Sequence, residues 1–139
     1  FAYDGSDLAK LAIEEAGRQL ASRGDALVVC VWEPFDVGFV PVSGLSFDAA
    51  QIHDVKKAAE ETAAEGAELA RAAGFSAQSI AIEGAPTWKA IVDTANDIDA
   101  GVIVLGSHGR SGIADVLLGS VAGAVAAHSK RTVLISHRR

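Results

Sequence analysis

Val102-Ile103-Val104-Leu105-Gly106-Ser107-His108-Gly109 carries the chain from a short apolar run into a glycine turn, and after nine further residues Gly119-Ser120 opens a stretch with helical period. A run this short and continuously apolar, followed by a helix, is the pattern of a strand in a parallel sheet covered on both faces. Similar runs recur at 26–32, 79–82 and 132–135, and residues 1–3 read as the remnant of another strand. Between them lie helical patterns. Leu8, Leu11, Ala12, Ala16 and Leu20 share one face, with Ser6 as N-cap and Gly24 as the C′ residue. Ile52, Val55, Ala59, Ala63, Gly66, Ala70 and Ala73 recur at intervals of three and four, ending at Gly74. A third helix starts near Pro86 and turns Trp88, Ile91 and Ala95 inward, and a fourth follows Ser120 with Val121, Ala124, Val125 and His128 along one side. The alternation predicts a single doubly wound α/β domain over residues 1–139, with five parallel strands in the order 3-2-1-4-5 and helices on both faces.

Ligands of such sheets bind outside the carboxyl ends of the strands, where strand order reverses. That rule singles out residues 4–6, 31–34, 83–86 and 106–109. Glycine admits positive φ and lets a phosphate approach the backbone with no Cβ in the way. The helix opened by Gly119-Ser120 would add unpaired N–H donors and the positive end of its dipole. Taken singly, Gly106 and Gly109 are what any tight strand-to-helix connection needs, and Gly119-Ser120 is an ordinary cap. Both turns at one connection, on the ligand edge, point to a polyphosphate cradle.

Composition narrows the classes. The 139 residues carry 18 acidic and 12 basic side chains, a net charge of −6. Nonspecific nucleic-acid binding and attachment to an anionic membrane both need basic patches, so neither is expected. No apolar run approaches the ~20 residues of a membrane helix. The single cysteine, Cys30, lies in an apolar run and reads as a buried small hydrophobe. With no second cysteine to pair, a reducing, cytoplasmic compartment is the expectation. The opening Phe1-Ala2-Tyr3-Asp4 lacks an initiator Met and a signal-peptide pattern, and reads as a strand whose first residues are missing. The long irregular stretch 34–49, with Phe35, Phe39 and Phe47, reads as a lid, an interface or disorder.

The pattern Gly106-x2-Gly109-x9-Gly119-Ser120 resembles the ATP-binding signature of the universal stress proteins, G-x2-G-x9-G-(S/T). The likeness covers essentially the whole chain. Ala2-Tyr3-Asp4-Gly5-Ser6 is similar to the family's first strand and turn, Glu83-Gly84-Ala85-Pro86 to its G-x-P segment, and residues 99–106 to its fourth strand. The closing strand 131–135 resembles the fifth, with Thr132 where the family usually has proline. The resemblance implies an ATP site, with Mg2+ as the accompanying cation. Asp4 would contact the nucleoside, the alternative being a helix-dipole or turn partner for the first helix; the backbone of Val31 would meet the adenine, the alternative being plain core. Leu105, Gly106, His108, Gly109, Gly119 and Ser120 would line the triphosphate, with Val121 following on the helix. It also implies a homodimer through the last strand, an apolar edge that would otherwise invite aggregation.

Other nucleotide folds fail on particular residues. After the first strand stands Asp4-Gly5-Ser6-Asp7 in place of G-x-G-x-x-G, and no Walker A string occurs. A two-component receiver would need an acceptor Asp after the third strand and a Lys after the fifth, where Glu83-Gly84 and Ser136-His137 stand. His53, His128 and His137 show no metal-ligand spacing and read as surface or helix-packing residues, so no metal site is expected. Efficient ATP hydrolysis needs a positioned water and transition-state charge stabilisation, and no base or arginine finger is identifiable. No catalytic residue is therefore assigned. The expectation is a nucleotide-dependent switch with slow hydrolysis at most. The alternatives are a weak ATPase and a dimerising scaffold with a vestigial site.

Overall fold

Ser6 starts the first helix by the mechanism its side chain suggests: its Oγ accepts from the Ala9 N–H at 3.3 Å, capping α1 (Asp7–Gln19). The computed structural model describes residues 1–22, 24–33, 49–110 and 118–137. After α1 come β1 (Asp25–Trp32), α2 (Ala49–Ala72), β2 (Ser76–Glu83), α3 (Thr87–Asp97), β3 (Val102–Gly106), α4 (Ser120–His128) and β4 (Thr132–Ser136). Each helix forecast is matched, with shifted ends. The chain leaves α1 at Leu20, whose backbone is extended at φ −80° and ψ 122°, so Gly24 is not its C′ residue. Gly24 instead accepts from the Ser76 N–H at 3.1 Å, joining the starts of β1 and β2. The α2 terminus is as expected: Gly74 takes φ +99°, and the N–H of Phe75 returns to the Ala70 carbonyl at 3.0 Å. Pro86 is the N-cap of α3, one step before the helical turn assigned to it.

The expected single five-stranded sheet is not what the described residues form. They make two parallel pairs, β1 with β2 from Asp25↔Ser76 to Trp32↔Glu83, and β3 with β4 from Val102↔Thr132 to Gly106↔Ser136. Phe1–Tyr3 makes only an isolated parallel bridge, Ala2↔Val29. Its hydrogen bonds nonetheless run both ways: Tyr3 N–H donates to Val29 O at 2.9 Å, Val29 N–H to Phe1 O at 2.8 Å, and Ala2 N–H to Val104 O at 2.9 Å.

Alternation along the strands sorts the core into two faces. Val28 and Val104 join Tyr3, Ile13, Ala16, Ala67 and Ala70 under α1 and α2. Ile103 and Leu105 join Ile91, Ala95, Ala122 and Val125 under α3 and α4, with Val31 packed against them. Cys30 is buried at 6% exposure beside Trp32, Ala59 and Ala63, as its apolar run suggested. Small residues on α2 allow close approach. A Cβ on Gly66 would lie 2.7 Å from the Tyr3 ring and 2.8 Å from Val28. The Tyr3 hydroxyl, its pKa pushed up by burial and then by Glu65, donates to Glu65 Oε1 at 3.0 Å. Lys10 approaches the same oxygen at 2.9 Å, and with Tyr3 it holds the Glu65 carboxyl below the usual carboxylate range.

Arg131, just before β4, fastens that strand to the end of α3. Its guanidinium donates to Asn96 Oδ1 at 3.2 Å, Asp99 Oδ1 at 2.6 Å and the Ala100 carbonyl at 2.9 Å. Asp99 is exposed, so its charge is largely screened, whereas the carbonyl contact is partly buried. Arg131→Ala is expected to cost about 1 kcal/mol in urea unfolding, with the m-value unchanged. A loss below a few tenths would mean that this end of α3 holds without the clamp.

Candidate functional site

Gly106, the last residue of β3, lies against the first turn of α1. A Cβ there would fall 2.7 Å from the Leu8 carbonyl carbon and 2.9 Å from the Leu8 carbonyl oxygen. Its bareness is used by helix packing. Ser107 then turns inward, only 2% exposed. Its N–H donates to the Ser136 carbonyl and its own carbonyl accepts from the Gly119 N–H, each at 2.8 Å. These two backbone bonds join the end of β3, the end of β4 and the start of α4, so the two glycine turns lie in direct contact.

His108 stands between them. Its Nδ1 is 3.2 Å from Ser107 Oγ, and its Nε2 is buried with no hydrogen-bond partner among the described residues. A Cβ on Gly119 would lie 3.4 Å from His108 Cδ2 and 3.0 Å from the Ser107 carbonyl oxygen, so Gly119 lets the imidazole sit against the helix start. Gly119 is the N-cap of α4 and supplies no side-chain cap. Gly119 therefore leaves the first-turn amides of α4, at the positive end of its dipole, without a cap from its own side chain.

The other turn closes on Asp4. Asp4 Oδ1 accepts from the Ser6 N–H and Oδ2 from the Arg110 N–H, both at 3.0 Å. A Cβ on Gly109 would meet Asp4 Oδ2 at 2.6 Å. Asp4 and Gly109 thus meet at one turn, and His108 and Gly119 at the other. Ser120 is exposed at the head of α4, and Val121 packs on the α3–α4 core. Leu105 is core, 4% exposed, and its side chain lines no cradle. Val31 turns its side chain toward Gly84 and the α3–α4 core, leaving its backbone, paired with Ile82, at the strand end. Ser107 was not foreseen: it acts through its main chain, and no side-chain pattern marks it.

The stretch at 34–48 and the link at 111–117 lie outside the described residues. Among the described residues no group of His, Cys, Asp and Glu could hold a metal ion. His53 and His137 are exposed, and His128 stacks on Trp88 at 4.4 Å between centroids. No described helix is long and apolar enough to cross a membrane. A cavity of about 570 Å3 lies at the opposite ends of the strands, among Leu20, Phe75, Ile91, Ala95 and Ile98. Its largely apolar wall has none of the turn chemistry described above.

An orphaned imidazole nitrogen, an uncapped helix start and a Cβ-free turn fit a phosphate group. The bare faces of Gly106 and Gly109, in contrast, are filled by Leu8 and Asp4. The α4 side of the turns is therefore the side with room for an anion, and among the described residues there is no paired acid and base.

Comparison with known proteins gives this geometry a context. The model of the universal stress protein family matches residues 1–137. Universal stress protein Rv2005c of Mycobacterium tuberculosis is 33% identical over 144 residues, covering 98% of this chain and 43% of its own length, so the chain spans less than half of that relative. A crystal structure of a universal stress protein in complex with cAMP superposes with a TM-score of 0.67 at 30% identity, covering 99% of this chain and 94% of the other. The Archaeoglobus fulgidus universal stress protein in complex with dAMP shares the fold, with a TM-score of 0.55 at 24% identity over 96% of this chain and 92% of its own.

Proposed function

The chain belongs to the universal stress protein family, and from that premise we propose that it binds an adenine nucleotide, ATP with Mg2+, as a switch with slow hydrolysis at most. The observation that carries this reading is the buried His108 Nε2, unpartnered among the described residues, beside the start of α4 at Gly119, with the two glycine turns bonded through Ser107 and Gly119. A relative 30% identical over nearly the whole chain is a complex with cAMP, which supports an adenine nucleotide as the ligand class. His108 Nε2 and the first-turn amides of α4, at Ser120 and Val121, would hold the phosphates. Gly109 lets the turn close on Asp4 and Gly119 lets the imidazole sit at the helix start, and the backbone of Val31 would border the base. Carried in with the nucleotide, Mg2+ would neutralise charge on the phosphates.

The remaining expectations are part of the same proposal. Residues 1–139 form one nucleotide-binding domain, with segment 1–3 as the central strand of a five-stranded sheet in the order 3-2-1-4-5. The compartment is cytoplasmic, and the stretch at 34–49 responds to occupancy. A homodimer forms through β4, whose Val133, Leu134 and Ile135 are only half-buried. Leu134→Glu is then expected to give a monomer mass, or insoluble protein, in light scattering. A soluble dimer from that variant would remove β4 from the interface.

Holding without an acid–base pair sets the rate. Single-turnover hydrolysis is expected to be far slower than the ~10 s⁻¹ of a typical enzyme. Turnover near that rate, lost in His108→Ala, would make the protein an ATPase and not a switch. Mass spectrometry of nucleotide released from freshly purified protein identifies the ligand directly.

A further inference from the structure

The main chain of Ser107 joins β4 to α4, through bonds of 2.8 Å to the Ser136 carbonyl and the Gly119 N–H. Its side chain is engaged separately. The residue is 2% exposed, and among the described residues its Oγ has one hydrogen-bond partner, His108 Nδ1, at 3.2 Å. A buried hydroxyl is rarely left without an acceptor for its proton. Nδ1 is the acceptor at hand, so the hydroxyl donates and Nδ1 stays bare. A neutral imidazole with a bare Nδ1 carries its proton on Nε2. That nitrogen is the one buried with no partner among the described residues. It is bonded to Cδ2, the ring atom 3.4 Å from where a Cβ on Gly119 would stand, so it lies close to the start of α4.

We infer that Ser107 is a positioning residue: its hydroxyl fixes the tautomer of His108, so that Nε2 meets the ligand as a donor. The inference rests on the nucleotide reading of the site and specifies its hydrogen-bond polarity. With the proton on Nε2, the imidazole joins the first-turn amides of α4 as a further donor. An ionised phosphate oxygen, which offers lone pairs and no proton, suits such a set. A group that donates, such as the NH2 of a base, finds no acceptor at Nε2. The reverse tautomer would turn a bare nitrogen toward an anionic oxygen and repel it. A buried N–H without an acceptor is costly to the folded protein, and a phosphate oxygen at Nε2 recovers that cost on binding. Because both main-chain bonds of Ser107 hold its backbone in place, the tautomer is selected before any ligand arrives.

Long-range proton–nitrogen correlation spectra read the tautomer directly, on ligand-free protein in slightly alkaline buffer, where a histidine is ordinarily neutral. The wild-type protein is expected to show His108 protonated on Nε2 alone, and Ser107→Ala to show a mixture of the two forms. A wild-type ring with its proton on Nδ1 would overturn the inference, and that result needs no variant to fold. Matching spectra from wild type and variant would overturn it too, since the hydroxyl would then select nothing. Ser107→Ala keeps both main-chain bonds, so a role confined to the backbone leaves it silent. Its affinity for inorganic tripolyphosphate is expected to fall about fivefold, the worth of one ordinary hydrogen bond. In a His108→Ala background the same substitution is expected to change nothing, because Ser107 acts through the ring. An equal loss in both backgrounds would give the hydroxyl a role of its own and overturn the inference. Wild-type protein that binds neither tripolyphosphate nor Mg-ATP, while His108 carries its proton on Nε2, would sink the nucleotide reading and leave the tautomer assignment standing.

Discussion

Gly106→Ala is expected to lower the stability of the folded protein by about 2 kcal/mol, well beyond what a glycine in a ligand loop would cost. The added Cβ would lie 2.7 Å from the carbonyl carbon of Leu8, which belongs to the backbone of α1 and cannot rotate away. Relief would require α1 to lift from β3, and α1 is anchored by Ala12, Ile13 and Ala16, each at most 1% exposed. A shift there opens the packing around Val104 on the same face. Urea unfolding measures the effect as a lowered midpoint with an unchanged m-value. Gly24→Ala is the control: a Cβ there meets nothing within 4 Å, and its change should stay within about 0.5 kcal/mol. If Gly106→Ala were as mild as that control, the bare face of Gly106 would have to be reserved for a ligand and not for Leu8.

Gly109→Val is expected to do the reverse, with Mg-ATP affinity falling at least about 100-fold while the fold is largely kept. Gly109 is exposed, so the two methyl groups intrude on no core. The Cβ itself falls 2.6 Å from Asp4 Oδ2, so the carboxylate and the turn cannot both keep their places, and the Arg110 N–H bond to Oδ2 is lost. Because Ser107 and His108 belong to the same turn, the imidazole would lose its place beside Gly119. Calorimetry should show no saturable heat, and the unfolding midpoint should move less than for Gly106→Ala. Binding retained within a factor of a few would place the nucleotide away from this turn.

The two glycines looked alike in the sequence and differ in the structure, which marks where sequence reading stops. The strand at 102–105, the cap at Ser6 and the stop at Gly74 were legible because each depends on neighbours within a few residues. β2 was read as starting at Ser79, whereas it begins at Ser76. Ser76 and Gln78 lie on an exposed side, and their polarity hid a strand whose Ala77 is buried. Gly24 was assigned to the end of α1 because it follows an apolar face, but the chain had already left the helix at Leu20. The meeting of the two glycine turns was legible from their spacing. Their internal bonds were not, since they are main-chain contacts at Ser107 and a carboxylate reaching across 106 positions. Such contacts arise from the meeting of β3, β4 and α4, which no local pattern encodes.

The central claim is that the two joined turns hold an adenine nucleotide. Isothermal titration of nucleotide-free protein with Mg-ATP tests it most directly. A saturable isotherm with one site per chain, weakened in His108→Ala, is the predicted result. Absence of binding heat from folded wild-type protein across a range of temperatures, with no nucleotide released on purification, would contradict it.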